Sequence, residues 1–205
     1  MSYRVNEVVI PSYIEYKPEE LEYYLKRIKR SGYSLTEDSL SQAIKENKSK
    51  SVVYYAAMLL KEYGTTKSIP LLKSLSSYPN IDVKVVALTS IGVIAGGRES
   101  EYYASLLEDS RYKIKDYAIL IIAEAGNEKA LPSVKRYAKK ILQGRIKLNS
   151  WPPIQLPIIH YFRRVGDDEA KELANRLSEL PIETYKTMSK EDWEETKKEL
   201  GELFK

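Results

Sequence analysis

A basic run late in the chain has the clearest potential to bind an anion. Six basic side chains fall within thirteen positions, with Tyr137 among them, and such a cluster can neutralise the phosphates of a nucleic acid. These side chains are Lys135, Arg136, Lys139, Lys140, Arg145 and Lys147. The same pattern also suits a solvated outer helix face, or a surface for an acidic protein partner.

Residues that could carry catalysis or hold a metal ion are scarce. His160 is the single histidine and cysteine is absent, so the usual His and Cys ligand sets and a thiolate nucleophile do not arise. The chain has no Gly-rich phosphate loop, Gly-x-Ser-x-Gly elbow or dinucleotide fingerprint. We therefore predict no catalytic residue, no metal and no cofactor. His160 has apolar neighbours, which suits either a structural role or a binding surface.

Tyrosine is the most unusual component of the composition, with 17 Tyr against 2 Phe. A tyrosine ring offers a large contact area and one hydrogen bond, which suits interfaces. Three adjacent pairs must each point in two directions on a helix, so one member of each should be exposed. The pairs are Tyr23-Tyr24, Tyr54-Tyr55 and Tyr102-Tyr103. A general compositional preference for tyrosine would account for the count equally well.

The overall charge is +4 but it is unevenly distributed. Residues 167–205 carry twelve acidic and seven basic side chains, whereas residues 1–166 have a net charge of +9. The basic part could attract nucleic acid or an acidic protein, or it could serve solubility alone. No apolar run approaches the roughly 18 residues of a membrane helix, and no secretory signal is evident at the start. We expect a cytoplasmic location and no membrane partner.

A sequence pattern that repeats about every 31 residues indicates the helices that position the candidate binding residues. Val52 and Ile114 each precede a glycine by twelve residues, and Val83 lies midway between them. The residue four positions after each anchor is alanine, at Ala56, Ala87 and Ala118. A looser copy follows at Ile154 and Gly166. This period predicts stacked helical hairpins. In the first hairpin Val52, Ala56, Leu59, Leu60 and Tyr63 should face inward.

The repeats are flanked by further predicted helices. One should begin at Pro18, run to Arg30 and stop at Gly32. The segment Ser34–Glu37 has capping-box spacing and should open a second helix that ends near Asn47. We predict one domain over residues 1–205: N-terminal helices in 1–49, three clear repeats in 50–142, a divergent repeat in 143–180, and a capping helix in 181–205 that starts near Ser189.

The repeat sequences resemble HEAT repeats of the short bacterial type that also occurs in phycobilisome lyases, within the armadillo-like class. The first copy reads Val-Val-Tyr-Tyr-Ala-Ala-Met-Leu-Leu-Lys-Glu-Tyr-Gly from Val52, and Ser-Ile-Pro-Leu-Leu from Ser68. The third reads Ile-Lys-Asp-Tyr-Ala-Ile-Leu-Ile-Ile-Ala-Glu-Ala-Gly-Asn from Ile114, and Ala-Leu-Pro-Ser-Val from Ala130. The resemblance implies an all-α, right-handed solenoid of helical hairpins with extra terminal helices.

Enzymes of this broad family do not match residue by residue. Deoxyhypusine hydroxylase uses paired His-Glu motifs, whereas His160 is followed by Tyr161. HEAT-like DNA glycosylases use an aspartate and aromatic residues in a basic concave face, but Asp116 and Trp151 carry no supporting motif. No bilin pocket of the lyase type is identifiable.

In this repeat type the second helix of each pair lines the concave face. If the long glycine-terminated helices do so here, counting back from each turn residue predicts a solvent-facing stripe. The stripe positions are Tyr54, Met58, Lys61, Val85, Thr89, Gly92, Asp116, Leu120, Ala123, Leu156, His160 and Arg163. Adjacent Tyr55 is a further candidate contact. Trp151, beside Pro152 and Pro153, could be another, or it could fill the gap between the third and fourth repeats. Because the stripe is largely apolar or neutral, it favours a protein partner. A shift of one residue would exchange core for surface, so a packing role is the alternative.

These observations predict a non-enzymatic protein-binding scaffold or adaptor. A toxin-neutralising immunity protein is one form that such a module could take. The alternative is a nucleic-acid-binding, DNA glycosylase-like protein that uses the basic run.

Overall fold

The computed structural model describes residues 3–5, 8–10, 18–146 and 154–180, together with residue 191. This part of the chain is predominantly helical, which confirms the predicted class. The helices are α1 Pro18–Arg30, α2 Glu37–Glu46, α3 Lys50–Tyr63, α4 Ile69–Ser74, α5 Ile81–Ala95, α6 Ser100–Glu108, α7 Lys115–Ala125, α8 Leu131–Leu142, α9 Gln155–Val165 and α10 Asp168–Ser178. A short antiparallel ladder pairs β1 (Tyr3–Val5) with β2 (Val8–Ile10).

The chain divides into two compact units, Met1–Glu99 and Ser100–Lys205. The boundary falls inside the second repeat, between α5 and α6. In the first unit α1 contacts α3 and α3 contacts α5, while α2 packs on α3 and α4 packs on α5. In the second unit α7 contacts α9, α8 contacts both α6 and α10, and α6 packs on α7. Each unit therefore contains consecutive helical hairpins in contact.

Local sequence signals place most helix ends. The helix predicted from Pro18 to Arg30 is present with those bounds, and Gly32 follows it in a left-handed conformation with φ of 87°. The start of α2 differs from the prediction, because Thr36 rather than Ser34 is its N-cap and accepts a hydrogen bond from the Ser39 backbone N–H. Ser49 and Asn80 cap α3 and α5 in the same way.

Glycine is required at the turns because a side chain there would clash with the preceding helical turn. The backbone at these positions is not left-handed. Gly64 and Gly126 have φ of −86° and −64°, and each donates its N–H to the carbonyl four residues earlier. A Cβ at either position would lie 2.5 Å from that carbonyl oxygen. The recurring glycine therefore allows the helix to end there with an extended residue next to its last turn.

The core follows the predicted repeat except at Tyr63 and at Val52, which is only half-buried. Ala56, Ala87 and Ala118 are at most 1% exposed, as are Leu59 and Leu60. Tyr63 was predicted to face inward, but it is 39% exposed. It is the last residue of α3.

The interior also contains one hydroxyl that lies between two helices of the first unit. The Ser90 hydroxyl, on α5, lies 2.8 Å from the Ala57 carbonyl oxygen of α3 and 2.7 Å from the Val86 carbonyl oxygen of its own helix, and its one proton can be donated to either. Because Ser90 is fully buried, either bond removes the cost of placing its polar group in the core.

Two predicted features lie outside the described residues: the Trp151-Pro152-Pro153 loop, and the C-terminal helix expected from Ser189 apart from residue 191. Within the described ranges no helix combines the length and the apolar character needed to cross a bilayer.

Candidate functional site

A groove of about 420 Å³ in the first unit brings together residues from three helices. We call it the tyrosine groove. Its lining residues come from α1, from the first turns of α3, and from the start of α5. They are Tyr23, Tyr24, Lys50, Ser51, Tyr54, Tyr55, Asn80 and Asp82.

The four tyrosine rings of the groove contact one another directly. Tyr24 stacks on Tyr55 with ring centroids 5.3 Å apart and an interplanar angle of 28°. Tyr23 meets Tyr55 edge to face at 5.7 Å, and Tyr24 meets Tyr54 edge to face at 6.0 Å. The Tyr55 hydroxyl donates to the Tyr23 hydroxyl at 3.3 Å. Such contacts each contribute about 0.5–1.5 kcal/mol beyond burial, so the cluster is a pre-organised surface.

The repeat explains why these rings meet. Tyr23 and Tyr24 lie 31 residues before Tyr54 and Tyr55, which is the repeat period. They therefore occupy equivalent positions on α1 and α3, two helices in contact. The repeat predicted from the sequence begins at Val52 and misses this equivalence, although extending the period backwards would have found it.

The hydroxyls of the tyrosine groove are held in the neutral form. Burial raises the pKa of Tyr24, and the neighbouring Tyr54 and Glu20 raise it further. Burial also raises the pKa of Tyr54, as do the charges of Asp82 and Glu20, against a hydrogen bond with Tyr24. Neutral phenols donate and accept hydrogen bonds but are poor nucleophiles. The groove is therefore suited to recognition.

Tyr23, at the edge of the cluster, differs from Tyr24 and Tyr54 in the direction of its pKa shift. Its pKa is lowered by the hydrogen bond from Tyr55 and by a second from Arg27, whose Nε lies 3.0 Å from the Tyr23 hydroxyl. The Arg27 guanidinium also lies 5.1 Å from the Tyr23 ring centroid. Tyr23 is 44% exposed, so its face extends the aromatic surface to solvent.

The polar residues of the groove retain unused hydrogen-bonding and charge capacity. Among the described residues, Lys50 and Asp82 form no ion pair, either with each other or with a third group. The Asn80 Oδ1 accepts from the Val83 backbone N–H at 3.2 Å, and its NH₂ group has no hydrogen-bond acceptor in the described part of the chain. A ligand could therefore use all three groups without breaking an ion pair or a hydrogen bond between described residues.

The predicted solvent-facing stripe is only partly present. Met58, Thr89 and Leu120 are 8%, 5% and 4% exposed, so the prediction that they face solvent is wrong. Gly92 and Ala123 are buried as well. The reason is that the middle turns of the long helices are covered by neighbouring helices on several sides, as α3 is by α1, α2 and α5.

Other stripe residues remain accessible and are distributed over both units. Tyr54 and Tyr55 are half-buried in the tyrosine groove, and Val85 is half-buried on α5. His160 is half-buried on α9 and Arg163 is exposed there; both belong to the second unit. The remaining half-buried stripe positions are Lys61, Asp116 and Leu156. Trp151 lies outside the described residues.

Acidic residues of the second unit pair with most of the basic run on α8. Lys135 Nζ lies 2.6 Å from both an Asp167 and a Glu169 carboxylate oxygen. Lys139 lies 2.6 Å from the other Glu169 oxygen. Arg136 pairs with Glu108 at 2.8 Å.

Two further residues of the basic run, Lys140 and Arg145, are exposed, while Lys147 lies outside the described residues. The carboxylates beside Lys135, Arg136 and Lys139 reduce the positive potential that a phosphate backbone would require.

A half-buried carboxyl lies elsewhere in the second unit. Burial raises the pKa of Glu124 to about 7, against the attraction of Arg164. Over the described ranges, no group of three or more His, Cys, Asp or Glu side chains has an arrangement that could hold a metal ion. Glu124 is thus an isolated acid and not part of a ligand set.

Comparison of the chain with protein-family models, curated proteins and solved structures gave no match.

Proposed function

We propose that this chain is a non-enzymatic protein-binding scaffold or adaptor, built as a HEAT-like solenoid, that contacts its partner through the tyrosine groove. The observation that carries the proposal is the cluster of four tyrosines beside Lys50 and Asp82, two charges that form no ion pair within the described ranges. Tyrosine is enriched among the residues that dominate protein interfaces, because it buries a large area with few rotatable bonds.

The charge distribution supports a protein partner over a nucleic acid. Lys135, Arg136 and Lys139 are paired with carboxylates of the same unit. A nucleic acid would have to displace those carboxylates before counterion release could favour binding. The tyrosine groove requires no such displacement. Neutralisation of a toxin by covering its active site is one instance of the proposed function.

The test is a tagged pull-down from the source cells with nuclease treatment, followed by affinity measurement with any stoichiometric partner. Tyr54→Ala should weaken that complex at least tenfold, because truncating a central interface tyrosine costs about 2 kcal/mol or more. Tyr117→Ala is the matched control: Tyr117 is also on a long helix and 36% exposed, but it does not line the groove.

Circular dichroism of both variants separates loss of binding from loss of folding. Equal affinity of Tyr54→Ala and wild type for the partner would contradict the proposed site. Recovery of nucleic acid alone, with binding lost in Lys140→Glu, would favour the basic run instead.

A further inference from the structure

Acidic side chains lie in and beside the tyrosine groove. Asp82 lines the groove in the first turn of α5 and forms no ion pair with a described residue. Glu20 lies close enough to act electrostatically on both Tyr24 and Tyr54. Lys50, at the start of α3, is the one cation among the lining residues. Since tyrosine ring faces are also electron-rich, the groove presents two features that attract a cation.

The cluster already accommodates one guanidinium. Arg27 lies over the Tyr23 ring, 5.1 Å from its centroid, while its Nε donates to the Tyr23 hydroxyl at 3.0 Å. A cation on a neighbouring ring would repeat this arrangement. The rings themselves are in contact, at centroid distances of 5.3–6.0 Å, so a cation would lie on the groove side of the rings and not between them.

We propose that the tyrosine groove binds an extended segment of a partner protein through an arginine or lysine side chain, which stacks on the tyrosine faces and pairs with Asp82. This inference rests on the proposed function and adds the chemistry of the partner. The Asn80 NH₂ group, which has no described acceptor, is placed to bind a backbone carbonyl of the same segment. Lys50 disfavours a second cation at its end of the groove and so gives the bound segment a direction.

The experiment is selection of a phage-displayed random peptide library on the immobilised full chain, followed by anisotropy titration of an enriched synthetic peptide. The inference requires enrichment of arginine or lysine. Asp82→Asn should weaken binding about tenfold, as expected for loss of one charge-assisted hydrogen bond. Lys50→Gln should increase the affinity, because it removes a like charge that repels the bound cation.

Asp168→Asn is the control for Asp82→Asn. Asp168 is likewise an exposed acid in the first turn of a helix, α10, but it lies outside the groove. Its substitution removes the same favourable interaction with a helix N-terminus and should not change the affinity.

Two results would overturn the inference, and they are distinguishable. The first is enrichment of acidic peptides that bind more weakly to the Lys50→Gln and Tyr54→Ala variants. The groove would then bind a partner's anionic side chain, so the proposed function would stand and the cationic partner would be wrong. Enriched peptides whose affinity is insensitive to Tyr54→Ala would overturn the site itself.

Discussion

The carboxylate of Glu37, on α2, accepts a 2.6 Å hydrogen bond from the hydroxyl of Ser68, which lies just before α4. The same carboxylate accepts hydrogen bonds from the Thr65 backbone N–H at 2.8 Å and from the Thr65 hydroxyl. Burial opposes the charge, but these bonds hold the pKa of Glu37 below its usual value. Glu37 was predicted to take part in capping α2. It instead holds Thr65 and Ser68, in the segment just before α4.

Replacing Glu37 by Gln should lower the free energy of unfolding by about 1 kcal/mol, the value expected for charge-assisted hydrogen bonds that are partly exposed to solvent. Urea denaturation at pH 7 measures this difference. Because the folded-state pKa is depressed, the contribution is fully present above the unfolded pKa of about 4.3 and is lost as the pH falls below it.

The pH dependence of the stability tests the prediction for Glu37 a second time. The difference between wild type and Glu37→Gln should shrink between pH 6 and pH 3, and a constant difference would contradict it. Glu22→Gln is the control, since Glu22 pairs with Lys26 on an exposed helix face and its replacement should change the stability less than Glu37→Gln does.

Arg164 should contribute more to the stability of the second unit than most of its polar residues. One Nη of its guanidinium, Nη2, lies within hydrogen-bonding distance of three carbonyl oxygens at the end of α7: Ile122 at 3.2 Å, Ala123 at 3.0 Å and Gly126 at 2.8 Å. Arg164→Met should destabilise the protein by about 2 kcal/mol, because the carbonyls lose a charged donor and a favourable cation at a helix C-terminus. Thermal or urea unfolding measures the effect.

Arg163→Met provides the comparison for Arg164→Met. Arg163 is the adjacent residue on α9 and is exposed, with no hydrogen bond to the rest of the described chain. Its substitution should change the stability by less than about 0.5 kcal/mol. Equal effects of the two substitutions would show that Arg164 does not act through the end of α7.

Glu124 should make the stability fall as the pH rises. Its folded-state pKa of about 7 lies above the unfolded value, so the folded state holds more protons between about pH 4.3 and pH 7. Over that range wild type should lose about 1–2 kcal/mol that Glu124→Gln does not lose, allowing for partial solvent exposure. Urea unfolding at pH 5 and pH 8 tests this, and parallel profiles for the two proteins would refute it.

Gly126 should be hard to replace despite its ordinary backbone angles. A Cβ there would lie 2.5 Å from the Ile122 carbonyl oxygen, which already accepts the Gly126 N–H. Gly126→Ala should therefore cost about 1–3 kcal/mol through displacement of that turn. A neutral or stabilising result in thermal unfolding would show that the turn relaxes freely.

Local signals in the sequence predicted the helices well. Pro18 marks the first residue of α1, and the turn glycines and small core residues recur at the repeat period, because backbone geometry and helix contact impose them residue by residue. The choice of Thr36 over Ser34 as N-cap could not be predicted, since both side chains can cap a helix.

Side-chain neighbours far apart in sequence were predicted less well. The accessible stripe was wrong at Met58, Thr89 and Leu120, because neighbouring helices cover the middle turns of the long helices on several sides, as α1, α2 and α5 cover α3. The pairing of Lys135 with Glu169, 34 residues away, depends on how successive hairpins meet. Nothing in the local charge pattern identifies that partner.

The 31-residue equivalence of Tyr23-Tyr24 and Tyr54-Tyr55 bears on how the groove arose. In a repeat protein, duplication of one hairpin copies its surface residues and places the copy against the original. A single duplication of a hairpin carrying one Tyr-Tyr pair would therefore create a four-ring cluster in one genetic event, without separate selection of each ring. Insertion of a further hairpin with the same pair, in phase with the repeat, would lengthen the aromatic row.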